Sequence, residues 1–154
     1  MSYKQMMGRK NFKLGVRKTY KIKAGLGIDE KKSVALSIFL GVSHTFESMQ
    51  SSWPFRLVTN SGYSAEDLLS NLLGFYRAVN PSINYLMICE PVSKSDALKI
   101  WDKYGPVGDN KNYEPAPYLY PIPPASGGPM CGTLPRALST IQPAKPGTLF
   151  EEVR

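Results

Sequence analysis

From Phe12 to Lys23 the chain alternates. Phe12, Leu14, Val16, Tyr20 and Ile22 take even positions, while Lys13, Arg17, Lys21 and Lys23 take odd ones. Side chains two apart on a strand share a face. This stretch can therefore form a strand only with one apolar surface and one row of positive charge. The apolar surface needs a cover, and the row needs either water or an anion.

The charge is as lopsided along the chain as it is across this strand. Residues 1 to 32 hold ten lysines and arginines against Asp29 and Glu30, a net +8, whereas the other 122 residues sum to −1. Such a cluster attracts a polyanion, either nucleic-acid phosphate or an anionic membrane face. The residues that would make the contact are Lys4, Arg9, Lys10, Lys13, Arg17, Lys18, Lys21 and Lys23. Phe12, Tyr20 and Trp53 are the aromatic groups that could stack on bases. Lysines on an edge strand also serve simply to discourage edge-to-edge pairing, but +8 over 32 residues exceeds what that needs.

The 42% hydrophobic content is that of a folded chain. Residues 1–11 read as a flexible basic arm whose bulky apolar groups are Met6 and Met7. Gly25 and Gly27 mark a turn. Residues 33–46, SVALSIFLGVSHTF, then alternate with Val34, Leu36, Ile38, Leu40, Val42 and Phe46 on one side, which predicts a second strand. Phe55–Val58 reads as a short edge strand after Pro54. Ser64 followed by Asp67 resembles a capping box, and Leu68, Leu69, Leu72, Leu73, Tyr76 and Val79 form a stripe, which predicts a helix over 65–79 ended by Asn80-Pro81. Residues 83–92, apolar and ended by a proline, predict a buried strand. Ser95 is read as the cap of a helix over 96–104. Ten of the thirteen prolines lie beyond residue 104, so 105–154 reads as an extended Pro/Gly-rich tail. The expected fold is a single α+β domain over residues 12–104: an antiparallel sheet with both helices on one face, flanked by the arm and the tail.

Catalytic chemistry is hard to assemble from these residues. Cys89 sits in an apolar run where a thiol is ordinarily inert packing, and His44 is the one histidine. Cys89 and Cys131 lack metal-ligand spacing. Gly25-Leu26-Gly27 lacks the third glycine of a dinucleotide loop, and Glu66 with Asp67 fits first-turn compensation of the helix dipole. The expectation is a non-enzyme without cofactor or metal. The longest hydrophobic run, Val34 to Val42, falls well short of the ~20 residues that span a bilayer, and the N-terminus lacks the apolar core of a signal peptide. Any membrane contact is then peripheral.

YEPAPYLYPIPP, residues 113–124, places Tyr113, Tyr118 and Tyr120 among five prolines, including Pro117 and Pro121. Such a segment favours the polyproline conformation that aromatic grooves recognise. It could equally lie on its own domain with the tyrosines as anchors. Together with Met6 and Met7 it is the candidate for contact with a partner or with a second copy.

The order of a long alternating strand, Trp53-Pro54-Phe55-Arg56, a capped amphipathic helix and the apolar run Ile83–Cys89 resembles the first half of the matrix-protein domain of rhabdoviruses, as does the lysine-rich N-terminus. The resemblance covers about residues 1–92. The chain departs from that family in having Pro115-Ala116-Pro117-Tyr118, late in the sequence, where the family carries a Pro-Pro-x-Tyr motif near the N-terminus. The resemblance implies a virion protein located in the host cell and peripherally at membranes. It would associate with itself and link an anionic membrane surface to a viral ribonucleoprotein or RNA. The residues by themselves leave a second reading open, a small nucleic-acid-binding coat or accessory protein.

Overall fold

The alternation over 12–23 becomes β2 (Phe12–Ile22), the central strand of a three-stranded antiparallel sheet in the order β1-β2-β3. The fold is α+β, seen in a computed structural model that describes residues 1–9, 12–52, 62–64, 66–104, 111–117 and 132–153, excluding the side chains of residues 8, 9, 12, 100 and 104. Leu14 and Tyr20 are buried and Val16 and Ile22 half-buried, while Lys13, Arg17, Lys21 and Lys23 are exposed. The two faces separate as the two-residue period requires.

The residues group into two compact units. One comprises Met1–Phe46 with Thr140–Arg154, the other Glu47–Ser139. In the first, β1 (Ser2–Arg9) pairs along β2 from Ser2 opposite Thr19 to Arg9 opposite Phe12, so the expected flexible arm is a strand for most of its length. Tyr3, Gln5 and Met7 turn inward and Ser2, Lys4 and Met6 outward, a weak alternation hidden by the polar Gln5. On the other side of β2 lies β3 (Phe150–Val153). The end of the expected extended tail is therefore a strand. With one buried side chain, Phe150, it has no period to read.

The largest departure concerns residues 33–46, expected as a strand. They lie within one helix, α1 (Ile28–Ser51). Val34, Ile38, Val42 and Phe46 are four apart, and a spacing of four satisfies both the strand period and the helical i, i+4 stripe. The start signal decides between them. Gly27 N–H donates to the Glu30 carboxylate at 2.8 Å, the return half of a capping box, and Lys31 N–H donates to Gly27 O at 3.0 Å. Asp29 and Glu30 also sit at the positive end of the helix dipole. Just before, Gly25 adopts the left-handed conformation at φ 76°, open to glycine without strain.

Consequently the helix packed on the sheet is α1. Its Val34, Ile38 and Val42 meet Tyr20 and Phe150, with Tyr3, Val16, Ile22, Leu26, Ala144 and Leu149 around them. The Tyr20 and Phe150 rings stack edge to face at 5.9 Å, and Tyr3 meets Phe39 at 6.2 Å. The segment before β3 is tied to α1: Ser33 Oγ donates to Gln142 O, and Ala144 N–H donates to Ser33 O at 3.1 Å.

Among its described residues the second unit holds α2 (Asp67–Val79), α3 (Tyr85–Ile88), α4 (Lys94–Tyr104) and a 3-10 turn at Arg136–Leu138. α2 agrees with expectation, including its stop at Asn80, whose N–H reaches Tyr76 O at 3.0 Å. It buries Leu68, Leu72, Phe75 and Tyr76, and Tyr76 packs on Tyr85 with centroids 5.5 Å apart. The strand expected over 83–92 is instead one helical turn. Asn84 caps it by accepting Met87 N–H at 3.3 Å, and of its four residues Tyr85 alone is buried. α4 begins at Lys94 and not after Ser95, because Ser93 and Asp96 form the capping box: Asp96 N–H donates to Ser93 Oγ at 3.1 Å, which donates to Asp96 Oδ2 at 2.7 Å. The stretch Phe55–Val58 lies outside the described residues.

Ile38 is 2% exposed in the core of the first unit and Ile28 is 67% exposed. Ile38→Ala is expected to lower the unfolding free energy by ~2–5 kcal/mol. Ile28→Ala should stay within ~0.5 kcal/mol of the parent. Urea titrations followed by circular dichroism read both.

Candidate functional site

The uncovered face of the sheet is built from outward positions of three strands. β1 contributes Ser2, Lys4 and Met6, β2 contributes Lys13, Gly15, Arg17, Thr19 and Lys21, and β3 contributes Glu151 and Val153. Register places Lys4 directly opposite Arg17 and Gly8 opposite Lys13. Like charges opposite one another on a sheet oppose folding, so their presence at the Lys4–Arg17 pair is a cost the packing below them has to offset. Ser2 Oγ and Thr19 Oγ1 are hydrogen-bonded beside the pair at 2.9 Å. Met6 covers Gly15, where an added Cβ would lie 2.7 Å from Met6 Cγ and 2.9 Å from Gln5 O. An exposed thioether thus sits in the middle of the cations.

Not all of the expected cations remain free. Lys18 lies on the inner side at its rim and pairs with Glu152 at 3.1 Å, and Lys21 faces Glu151 at 3.8 Å. β3 brings these two acids across from β2, a contact between residues far apart in the chain. Lys18 and Lys21 therefore each have an acidic neighbour on β3, and both pairs are reached by solvent. Among the described residues no carboxylate pairs with Lys4, Lys13, Arg17 or Lys23. Lys23 lies beside a cleft of about 300 Å³ lined also by Lys21 and residues 147–151. The Arg9 side chain and Lys10 lie outside the described residues.

Tyr20, expected as a stacking surface, is 4% exposed and belongs to the core. Burial pushes its phenol above the ordinary value, and the Glu152 carboxylate adds to that. The Phe12 side chain and Trp53 lie outside the described residues. Met7, expected to dock on a partner, turns inward and is half-buried, leaving Met6 as the exposed one. Tyr113 is exposed, its ring 4.8 Å from that of Tyr63. Pro117 is half-buried and its carbonyl accepts Gly132 N–H at 2.7 Å. Tyr118, Tyr120 and Pro121 lie outside the described residues.

His44 is half-buried on α1, and Cys89 caps α3, with burial raising its thiol above the ordinary value. Among the described residues no three His, Cys, Asp or Glu side chains are placed to hold a metal ion, and no helix is long and apolar enough to cross a membrane.

A second cluster, absent from the sequence reading, lies in the other unit. Glu47, near the end of α1, is 4% exposed, and its Oε2 accepts Tyr63 N–H at 3.0 Å. Asp67, first in α2, accepts Ser64 N–H on Oδ2 at 3.0 Å. The two carboxyl groups are within hydrogen-bonding reach of each other. Burial raises both above the carboxylate range; the Tyr63 N–H opposes this at Glu47 and the Ser64 N–H at Asp67, while Lys111 opposes it at both. Asp67 was expected to pair with Ser64 and to compensate the helix dipole, and its bond from Ser64 N–H fits the first of these; Glu47 was not expected beside it. A partner twenty residues away leaves no local signal.

Those directions set the sign of the linkage. In the unfolded chain both carboxyls titrate at about pH 4. Folded, each holds its proton to higher pH, so the stability they contribute is complete below that value and is lost as pH rises through the raised ones. Chemical unfolding across this range should therefore show stability falling with pH, and Glu47→Gln should flatten the fall.

No family model, no curated protein and no solved structure matches this chain, so the role of the open sheet face rests on its own geometry.

Proposed function

We propose that this chain is a structural protein of the matrix type. It lays the open face of its sheet on the phosphates of an anionic membrane surface, associates with further copies of itself, and holds a ribonucleoprotein against that surface during virion assembly. The observation that carries the reading is the outward set Lys4, Lys13, Arg17 and Lys23, uncompensated by acid among the described residues. A flat two-strand array of cations offers many weak phosphate contacts and no shaped pocket, which suits a surface more than a single small ligand.

The strand over 33–46 that carried part of the likeness to rhabdovirus matrix proteins is a helix. The proposal therefore stands on the charge arrangement. Between the two polyanions, lipid is favoured over single-stranded RNA. RNA binding without sequence readout combines phosphate contacts with aromatic platforms, and the described outward positions carry no aromatic ring, since Tyr20 is in the core. Met6, 52% exposed among the cations, is the kind of side chain that enters a headgroup region.

Vesicle flotation tests this directly. The protein should float with vesicles rich in anionic lipid and not with neutral ones. Each cation near such a surface contributes about 1 kcal/mol, so Lys4→Ala with Arg17→Ala should weaken binding roughly 30-fold. Salt on the order of 0.5 M should release the parent protein, since screening then acts over a few ångströms. Tighter binding of single-stranded RNA than of anionic vesicles at equal ionic strength would transfer the function to nucleic acid. Flotation indifferent to both salt and the double substitution would end the proposal.

A further inference from the structure

The proline-rich stretch has a root that is held in place. Ser64 and Lys111 form an isolated antiparallel bridge. Around it, Asn112 N–H donates to Tyr63 O at 2.9 Å and Lys111 Nζ to Gly62 O at 2.8 Å. Asn112, 3% exposed, also fixes the residues after it: its Nδ2 donates to Ala116 O at 3.0 Å and its Oδ1 accepts Glu114 N–H at 3.1 Å. Residues 111–117 thus hang on the three-residue turn 62–64.

That turn is held from its other side by two acids. Glu47 of α1 takes the Tyr63 N–H and Asp67 of α2 takes the Ser64 N–H, the two carboxyl groups facing each other across the turn. Packing leaves no slack. A Cβ on Gly62 would lie 2.6 Å from Glu47 O and 2.8 Å from Ser51 N, and Tyr63 takes the left-handed conformation at φ 56°. Among the described residues, the charged and titratable groups that face the pair are Lys111 from the bridged segment and Tyr63 from the turn itself, with Tyr113 beside the Tyr63 ring.

We propose that residues 111–117 are held by a proton-gated latch: one proton shared between Glu47 and Asp67 keeps the 62–64 turn closed, and its loss frees the root of the proline-rich stretch. With the proton in place, one carboxyl donates to the other and both accept from the turn, so every polar group is used. Without it, a buried Glu47 carboxylate faces the half-buried one of Asp67 with Lys111 as the neighbouring cation, and like charges so placed favour drawing water to Glu47. Water reaches Glu47 only if the turn moves. Movement of the turn breaks the bonds that Lys111 and Asn112 make to it, so the segment bearing Tyr113 and Pro115 loosens at this end, while its far end keeps the bond from Gly132 N–H to Pro117 O. This device is independent of the sheet face and would operate whatever that face binds.

Amide hydrogen exchange on the full-length protein tests it, with rates corrected for the intrinsic effect of pH. Protection at Asn112 should fall roughly tenfold for each unit of pH over which the pair titrates, above the ordinary carboxylate value. The amide of Leu72, in the α2 core, should stay protected by a larger factor at every pH, because the latch opens without unfolding α2. Glu47→Gln replaces the shared proton by an amide donor and Asp67→Asn does the same from the other side. Either variant should hold Asn112 protection constant with pH, and should one fail to fold the other decides. Asn112 protection that is indifferent to pH in the parent, that equals the protection of Leu72 across the range, or that behaves alike in parent and variants overturns the latch.

Discussion

Val34, Ile38 and Val42 of α1 press on Tyr20 and its neighbours along β2, and that contact determines which way the strand faces. A strand has no other choice to make. Its period is two, so committing Leu14, Val16, Tyr20 and Ile22 to the inside commits Lys13, Arg17 and Lys21 to the outside. Burying each large apolar side chain is worth ~1.5–3 kcal/mol. A slip of one residue would exchange several of them for lysines, at a cost of several kcal/mol for each charge taken from water. The cationic face is therefore a consequence of the core, and its opposed Lys4 and Arg17 are held together by packing beneath them.

β3 then sets how much of that charge is left for a ligand. Its four residues bury Phe150 against Tyr20 and place Glu151 and Glu152 next to Lys21 and Lys18. The neutralisation is local and one-sided. β3 pairs with β2 only from Thr19 to Ile22, so Lys4 and Arg17 lie beyond its reach. The two edges of the sheet thereby differ: one is compensated, the other keeps its field.

The sequence made β2, the basic face and α2 legible because each depends on near neighbours. Alternation, a helical stripe and a proline stop are all readable within a dozen residues. α1 was misread for an arithmetical reason, since positions 34, 38 and 42 are even as well as four apart, and the deciding cap at Gly27–Glu30 looked like a turn. β1 and β3 were missed because each has few inward apolar residues and takes its identity from β2. Within the candidate site, the facing of Lys13, Arg17, Lys21 and Lys23 could be read in advance, whereas the pairing of Lys18 and Lys21 with β3 and of Glu47 with Asp67 could not. Those contacts are made by the fold and leave no mark in the local pattern.

Like charges meet twice in this chain, and the surroundings determine what becomes of them. Lys4 and Arg17 stand in water, where two unit charges about 5 Å apart repel by less than ~1 kcal/mol. Both side chains are exposed on the outward side of the sheet. Glu47 and Asp67 are drawn from water, and at an effective dielectric constant of about 20 the same repulsion at about 4 Å approaches 4 kcal/mol. There retaining a proton turns the repulsion into a hydrogen bond, which is the course the proposed latch relies on. The proposed phosphate contact of the sheet face and the proposed pH response of the pair are thus built from the same element, two like charges brought close together by the fold.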